Sequence, residues 1–333
     1  MAGKFHPAPK GTGHLIAPEL RAGLDRLPDF DLDDAFVAAL RRGEANLGTI
    51  FDQPPLPPAL AAVARNELFV PGINGAPDVR VLHYAPPGEA ASPRPAYLYI
   101  HGGGYVLGSA DMMDIACRSK AVDHDCIVVS VDYRLAPETC WPGAVEDCYA
   151  ALCWLHDNAA SLGVDPARVA IGGESAGGGH SAALALWARD HGGPPICFQL
   201  LDCPMLDDRT GTVGDPHPWC GEFGWTPAKN HYGWSAMLGV EAGSDAVDPR
   251  SVPGRRDDLA GLPPAFISIG SLDLFLDESL DYARRLMRAG VPIELHVFTG
   301  GYHGFGITGP DAPQVKAQAS LQRAAIARAF ATA

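Results

Sequence analysis

A lone serine hydroxyl sits among residues with almost no side chain in "VAIGGESAGGG" (169–179). Gly173-x-Ser175-x-Gly177 has the spacing of a nucleophile elbow. The spacing alone is a weak signal, because a helix N-cap serine in a glycine-rich loop reads the same way. The flanks strengthen it: an apolar run precedes the serine, and an alanine-rich helical stretch, "AALALWARD", follows it. A serine on a strand-to-helix turn takes a strained backbone close to its neighbours, and small flanking residues make that sterically feasible. Such a turn sets the hydroxyl at a helix N-terminus, where free N–H groups and the helix dipole favour developing negative charge.

A second stretch, "YIHGGGYVLG" (99–108), also follows a strand-like run. Consecutive glycines leave bare N–H groups able to approach a substrate carbonyl and hold the oxyanion of a tetrahedral intermediate. The rival reading is a dinucleotide fingerprint. It fails, because a G-x-G-x-x-G frame from Gly102 meets Leu107 at its third glycine. The relaxed form at 177–182 lies inside the helix after Ser175, not at its opening turn.

A nucleophilic serine needs a base and a group to orient that base. His303 lies in "GGYHGF" and Asp273 in "GSLDLFLDE", each just past a strand-like run (293–298 and 265–270). Loops at the carboxyl ends of adjacent parallel strands open on the same side of a sheet, so Ser175, Asp273 and His303 can converge. Their chain order, Ser…Asp…His, is that of α/β-hydrolases. Asp277 and Glu278 read as first-turn acids of the following helix. His101 reads as a brace for the glycine loop. "HPWCGEFGWTPAKNH" (217–231) lacks metal-ligand spacing, so no metal is expected.

The elements that must position these groups follow from periodicity. Short apolar runs at 79–84, 96–100, 126–131, 168–172, 196–201, 265–270 and 293–298 read as strands. Helical stretches at about 111–123, 143–160, 176–191, 277–289 and 313–331 alternate with them. The expected architecture is therefore α/β, a mainly parallel sheet wrapped by helices. Residues 1–70 carry no strand signal; "DLDDAFVAALRRG" reads as a short helix and "PPALAAVARNELFV" (57–70) as a second. Residues 204–262 are also without a clear strand and hold Trp219, Phe223, Trp225, Tyr232 and Trp234. An insertion that long suggests a lid or small subdomain. Its aromatics read equally as that subdomain's own core or as a substrate lining.

Composition narrows the function classes. With 25 basic and 39 acidic residues the net charge is −14, which argues against binding nucleic acid or an anionic membrane surface. The N-terminus has no signal-type apolar core and no apolar stretch is long enough to span a bilayer, so the expected location is cytoplasmic. None of the eight cysteines forms a C-x-x-C pair, and most sit in apolar runs, as buried reduced thiols do.

Taken in order, "HGGGY", "VDYRLAPE" (131–138), "GESAGG", "GSLDLFLDE" and "YHGF" resemble the hormone-sensitive-lipase-like (bacterial family IV) branch of the α/β-hydrolases. The similarity runs from about residue 60 to the end. Through "RLAPET", "DCYAAL", "SAGGG" and "LDDR" the chain is most similar to bacterial acetyl esterases of the heroin-esterase type. The resemblance implies an α/β-hydrolase fold with a mostly parallel sheet of about eight strands. It implies a carboxylesterase with Ser175 as nucleophile, His303 as base and Asp273 as orienter. It implies an oxyanion hole from Gly103, Gly104 and Ala176, with Gly102 as a further candidate. It also implies no cofactor, and a cap formed by residues 1–70 and the insertion 204–262 on a catalytic domain spanning 71–333. Tyr105 joins the five insertion aromatics as a pocket candidate. The expected partner is a small-molecule ester; members of the branch often dimerise, which leaves a homodimer open. Short acyl chains, acetyl to about hexanoyl, are expected from the acetyl-esterase resemblance and a capped pocket. Amidase, lactonase and acyltransferase chemistry on the same triad stay open. So does a non-catalytic receptor role, although in the gibberellin-receptor case the histidine position is substituted and here His303 is present. Two departures stand out. Asp273-Leu274-Phe275 replaces the common Asp-Pro-Leu, and Glu174 stands where Asp is frequent.

Overall fold

The computed structural model describes residues 5–27, 30–46, 55–214 and 216–332. Eight strands, β1 (Ala64–Val70), β2 (Val79–Ala85), β3 (Arg94–Ile100), β4 (Ile127–Val131), β5 (Val164–Glu174), β6 (Phe198–Asp202), β7 (Ala265–Gly270) and β8 (Ile293–Phe298), form one sheet. Their spatial order is β1-β2-β4-β3-β5-β6-β7-β8. β2 pairs antiparallel with β1 and β4, and every other pairing is parallel. The helices are α1 (Asp34–Arg41), α2 (Asp114–His124), α3 (Gly143–Asp157), α4 (Ala159–Leu162), α5 (Ala176–Asp190), α6 (Pro227–Leu238), α7 (Leu276–Arg288), α8 (Phe305–Thr308) and α9 (Pro313–Thr332).

Alternation along the central strands feeds two cores. On one face α3, α5 and α7 bury Val145, Leu152, Leu184 and Leu286 with Leu98, Val129, Ile171 and Ile267. On the other, α2 and α9 bury Ala121, Ile326 and Phe330 with Tyr97, Val128, Phe198 and Phe266. Strands covered on both faces can be apolar throughout, which is why seven of the eight are legible as short hydrophobic runs.

The eighth corrects the sequence reading. Residues 57–70 are not a helix: a 3-10 turn (Pro58–Leu60) leads into β1, which pairs along its whole length with β2 from Ala64↔Ala85 to Val70↔Val79. The sheet thus takes in Ala64–Val70, ahead of the expected boundary at 71. β1 is an edge strand, exposed at most positions, so it carries no apolar alternation. It is fixed by backbone pairing and by charge, with Arg80 on β2 donating to Glu67 at 2.6 Å. Charged edges of this kind also discourage edge-to-edge association.

The described residues ahead of β1 pack on those between β6 and β7 above the carboxyl ends of the strands. Leu32 and Val37 share a core with Trp225, Trp234 and Met237. Tyr232 donates to Asp34 at 2.8 Å, and Glu222 accepts the N–H groups of Gly11 and Thr12. Within the described part of 204–262 there is one α-helix and no strand.

One half-buried ion pair anchors the segment between β4 and α3. Arg134 donates to both oxygens of Asp147, at 2.7 and 2.8 Å, and the Arg134 N–H adds a third bond at 2.9 Å. Asp147 is enclosed while the Arg134 side chain keeps about a third of its surface in solvent, so removing the carboxylate loses charge-assisted hydrogen bonds but leaves the guanidinium hydrated. Asp147→Ala should lower the unfolding free energy by about 2 kcal/mol, seen as an earlier urea midpoint with an unchanged m-value.

Candidate active site

The strand β5 ends at Glu174 and α5 begins at Ala176, leaving Ser175 as the single residue of the turn. Its backbone sits at φ 55° and ψ −119°, a conformation that costs a non-glycine residue of order 1–3 kcal/mol. Neighbours hold it there. The Ser175 N–H donates to Asp202 O at 2.9 Å, and Ser175 O accepts from Gly179 N and Met205 N, each at 3.0 Å. The turn packs so tightly on β3 that a Cβ at Gly177 would fall 2.0 Å from Ile100 O.

Ser175 Oγ lies 3.0 Å from His303 Nε2, and His303 Nδ1 lies 2.8 Å from Asp273 Oδ2. The three sequence-derived groups therefore form one hydrogen-bonded chain at the carboxyl ends of β5, β7 and β8. Asp273 Oδ1 also accepts the Phe275 N–H at 3.0 Å, so the turn after β7 holds the carboxylate without the proline common at the next position. His303 is flanked edge-on by the Phe275 ring, at 5.1 Å between centroids. Its loop is tied to the N-terminal segment: the Tyr302 hydroxyl contacts Leu20 O at 3.1 Å and Thr308 Oγ1 at 2.7 Å.

The glycine loop after β3 faces the serine. Gly104 has φ 58°, and a Cβ there would come within 2.0 Å of the Trp225 ring, so only glycine fits. Among the described residues, the N–H groups of Gly103, Gly104 and Ala176 meet no protein acceptor. Gly102 differs. Its N–H donates to Glu174 Oε1 at 3.0 Å, which removes it as an oxyanion donor. Glu174 Oε2 in turn accepts from the Tyr99 hydroxyl at 2.6 Å. Burial pushes the Glu174 carboxyl up from its ordinary range, against the pull of these two donors.

His101, read from the sequence as a brace for this loop, is itself held by residues that sequence reasoning did not assign, although they lie in a quoted motif. Tyr133 donates to His101 O at 2.8 Å and stacks on the His101 ring at 4.2 Å. Asp132 accepts from Ala110 N at 2.8 Å, and Ala136 N donates to Tyr105 O at 3.0 Å. "VDYRLAP" is thus the clamp of the glycine loop.

A cavity of about 140 Å³ opens beside Ser175 and His303. Leu27, Phe30, Leu107, Met112, Met113, Trp225 and Ile307 give it an apolar wall, and Glu174 and Lys229 reach it as well. Of the six pocket candidates only Trp225 lines it. Tyr105 is buried below, its hydroxyl donating to Met205 O, and Trp234 is fully buried against the Tyr105 ring. Phe223 packs on Tyr302, Tyr232 reaches Asp34, and Trp219 is half exposed on the outer surface. Aromatic type alone did not pick out the cavity wall: three of the six are buried, two are partly buried and Trp219 is exposed. The better signal was proximity to the motifs: Leu107, Met112 and Met113 follow the glycine loop, and Ile307 follows His303.

A parallel sheet whose strand ends carry a serine on a sharp turn, a histidine and an aspartate has the architecture of an α/β-hydrolase, and the family model described as alpha/beta hydrolase fold matches residues 97–307. The chain belongs to that family, in its hormone-sensitive-lipase-like carboxylesterase branch. It is 38% identical to esterase LipI of Mycobacterium tuberculosis over 297 residues, 87% of this chain and 88% of that one. It is 37% identical to carboxylesterase NlhH of the same organism over 321 residues, 93% and 96% of the two chains. The solved structure of a bacterial heroin esterase superposes with a TM-score of 0.85 at 38% identity, over 96% of this chain and 99% of that one.

Under the glycine loop and α5 the His101 and His180 rings both pack on Tyr133. Burial drives the His180 pKa down to about 3, and the nearby His101 ring adds to the shift; His101 is also lowered by burial. The folded protein keeps His180 neutral while the unfolded chain protonates near pH 6.5. Stability is therefore complete above pH 6.5 and falls as pH drops from there toward 3. Urea unfolding between pH 7 and 4 should show this loss, and His180→Phe should reduce its slope by up to one proton, about 1.4 kcal/mol per pH unit.

Proposed function

We propose that the chain hydrolyses short-chain acyl esters through an acyl-enzyme, with Ser175 as nucleophile, His303 as general base and acid, and Asp273 as the group that orients the imidazole. The observation that carries this reading is the continuous hydrogen-bonded path from Ser175 Oγ through His303 to Asp273. Ser175 attacks the ester carbonyl while His303 Nε2 takes its proton, and Asp273 stabilises the imidazolium that forms. The N–H groups of Gly103, Gly104 and Ala176 receive the oxyanion. His303 then protonates the departing alcohol, and water activated by the same ring releases the acid. The names of the relatives, esterase and carboxylesterase, agree with this chemistry.

The residues before β1 and those of 204–262 act in this reading as a cap that limits acyl length. The apolar wall of the cavity and its closure by Leu27, Phe30 and Ile307 support a preference for acetyl to hexanoyl chains.

Two measurements test the proposal. Ser175→Ala should reduce turnover by about 10⁴-fold or more without changing the fold, and it should lose labelling by a fluorophosphonate probe. Appreciable residual turnover would place the nucleophile elsewhere. A series of p-nitrophenyl esters should peak at or below hexanoyl in kcat/KM. A rate that climbs steadily to dodecanoyl would remove the short-chain assignment.

A further inference from the structure

β6 lies between β5 and β7 in the sheet, so its first loop residue falls between the turn that carries Ser175 and the turn that carries Asp273. That residue is Cys203. It adopts φ 38°, in the left-handed region that a residue with a Cβ rarely occupies, and its N–H is fixed to Ser268 O at 2.7 Å. The constraint points the thiol at the catalytic pair. Cys203 Sγ, a carboxylate oxygen of Asp273 and a ring nitrogen of His303 all lie within 4.8 Å of one another. Among the described residues this is the one group of three or more histidine, cysteine, aspartate or glutamate side chains so clustered.

One thiolate, one imidazole and one carboxylate make a donor set suited to zinc. Ligand atoms around a tetrahedral zinc stand roughly 3.3–3.8 Å apart, given bond lengths of about 2.0–2.3 Å, so an ion would need the Nδ1–Oδ2 pair to open from 2.8 Å and the thiol to move in by about 1 Å. His303 lines the cavity, while Asp273 is enclosed behind it, so an ion would reach the group past the imidazole. Zinc-type sites with three protein ligands leave a fourth position for water.

The geometry points to an inhibitory site for a thiophilic divalent cation, zinc above all, formed by Cys203, Asp273 and His303. The inference rests on the proposed triad for its inhibitory effect, but not for binding. On coordination the Cys203 thiol gives up its proton to solvent, and the imidazole gives its lone pair to the ion. Asp273 Oδ2 faces Nδ1, so that is the nitrogen able to share an ion with the carboxylate, and on binding the ring proton moves to Nε2. No lone pair is then left to accept the Ser175 proton, and the serine stays inert until the ion leaves.

The test uses cobalt as a spectroscopic stand-in and zinc as the inhibitor. Cobalt(II) added to the intact protein should give sulfur-to-cobalt charge-transfer absorption together with intense tetrahedral d–d bands. Both should persist in Ser175→Ala, where there is no turnover to inhibit, and in Cys140→Ser, which removes the exposed thiol. Both should vanish in Cys203→Ser. Zinc should inhibit the wild-type esterase reversibly on adding a chelator, and Cys203→Ser should need at least about tenfold more zinc for half-inhibition, measured against its own metal-free rate. Absence of the charge-transfer band in the wild-type protein overturns the proposal without recourse to any variant. So does equal zinc sensitivity of wild type and Cys203→Ser, or a band that follows Cys140. Failure of the triad reading itself would show differently, as an active Ser175→Ala protein whose cobalt spectrum is unchanged.

Discussion

The strained backbone at Ser175 is the constraint around which the rest is arranged. A non-glycine residue at φ 55° persists only when its surroundings fix it. Here three backbone hydrogen bonds do so, from the serine N–H to β6 and to its carbonyl from α5 and Met205. The same turn must approach β3 closely, so the flanking positions have no room for side chains. The hydroxyl is left at the start of α5, beside amides that helix geometry leaves without internal partners. Strain, glycine content and oxyanion donors are thus consequences of one sharp turn between a central strand and its helix.

The turn is useful only if the facing glycine loop is equally rigid, and that loop has no side chains of its own to hold it. Its supports come from elsewhere. Glu174, next to the nucleophile, grips Gly102 and Tyr99, so the elbow and the loop share a carboxylate. Tyr133 holds His101 from below, and the Arg134–Asp147 pair anchors Tyr133's segment to α3. The acid beside the serine is therefore a brace between two parts of the site. Its contacts are local and polar, which explains an acid in a place otherwise built of glycine.

The legible parts of this chain were those where periodicity or chemistry left a mark in one segment. Seven strands showed as apolar runs because both faces of the sheet are covered, and the triad showed because its members each follow such a run. β1 did not, since an edge strand held by backbone pairing and by Arg80–Glu67 has no hydrophobic pattern to read. The cavity wall did not, because lining depends on which face of a loop turns inward. Trp234 and Tyr105 carry the same aromatic character as Trp225, yet they pack edge-to-face on each other under the loop. The Cys203–Asp273–His303 group was hidden for a different reason: its members are 70 and 30 residues apart along the chain, and strand order alone brings them together.

Below the histidine the structure gathers acids, of which Glu174 and Asp202 feel a cation, Lys120, only through space. Asp202 accepts from Ser268 Oγ at 2.7 Å and from Gln318 Nε2 at 2.6 Å, Glu174 from Tyr99 and Gly102, and Asp273 from Phe275 N and His303. Among the described residues neither Glu174 nor Asp202 makes a salt bridge. Burial raises both carboxyls, and mutual repulsion adds to it, with Asp202 acting on Glu174 and Asp273 on Asp202. Neutral donors satisfy these oxygens while burial favours their uncharged forms, and Asp273, hydrogen-bonded to His303, is the acid placed to favour a positive centre there. In the proposed mechanism the group that becomes positive is His303, when it takes a proton from Ser175. A lysine or arginine in the same position would satisfy the acids better and would oppose the imidazolium. Partnering carboxylates with hydroxyls and amides keeps the site folded while leaving its electrostatic bias intact.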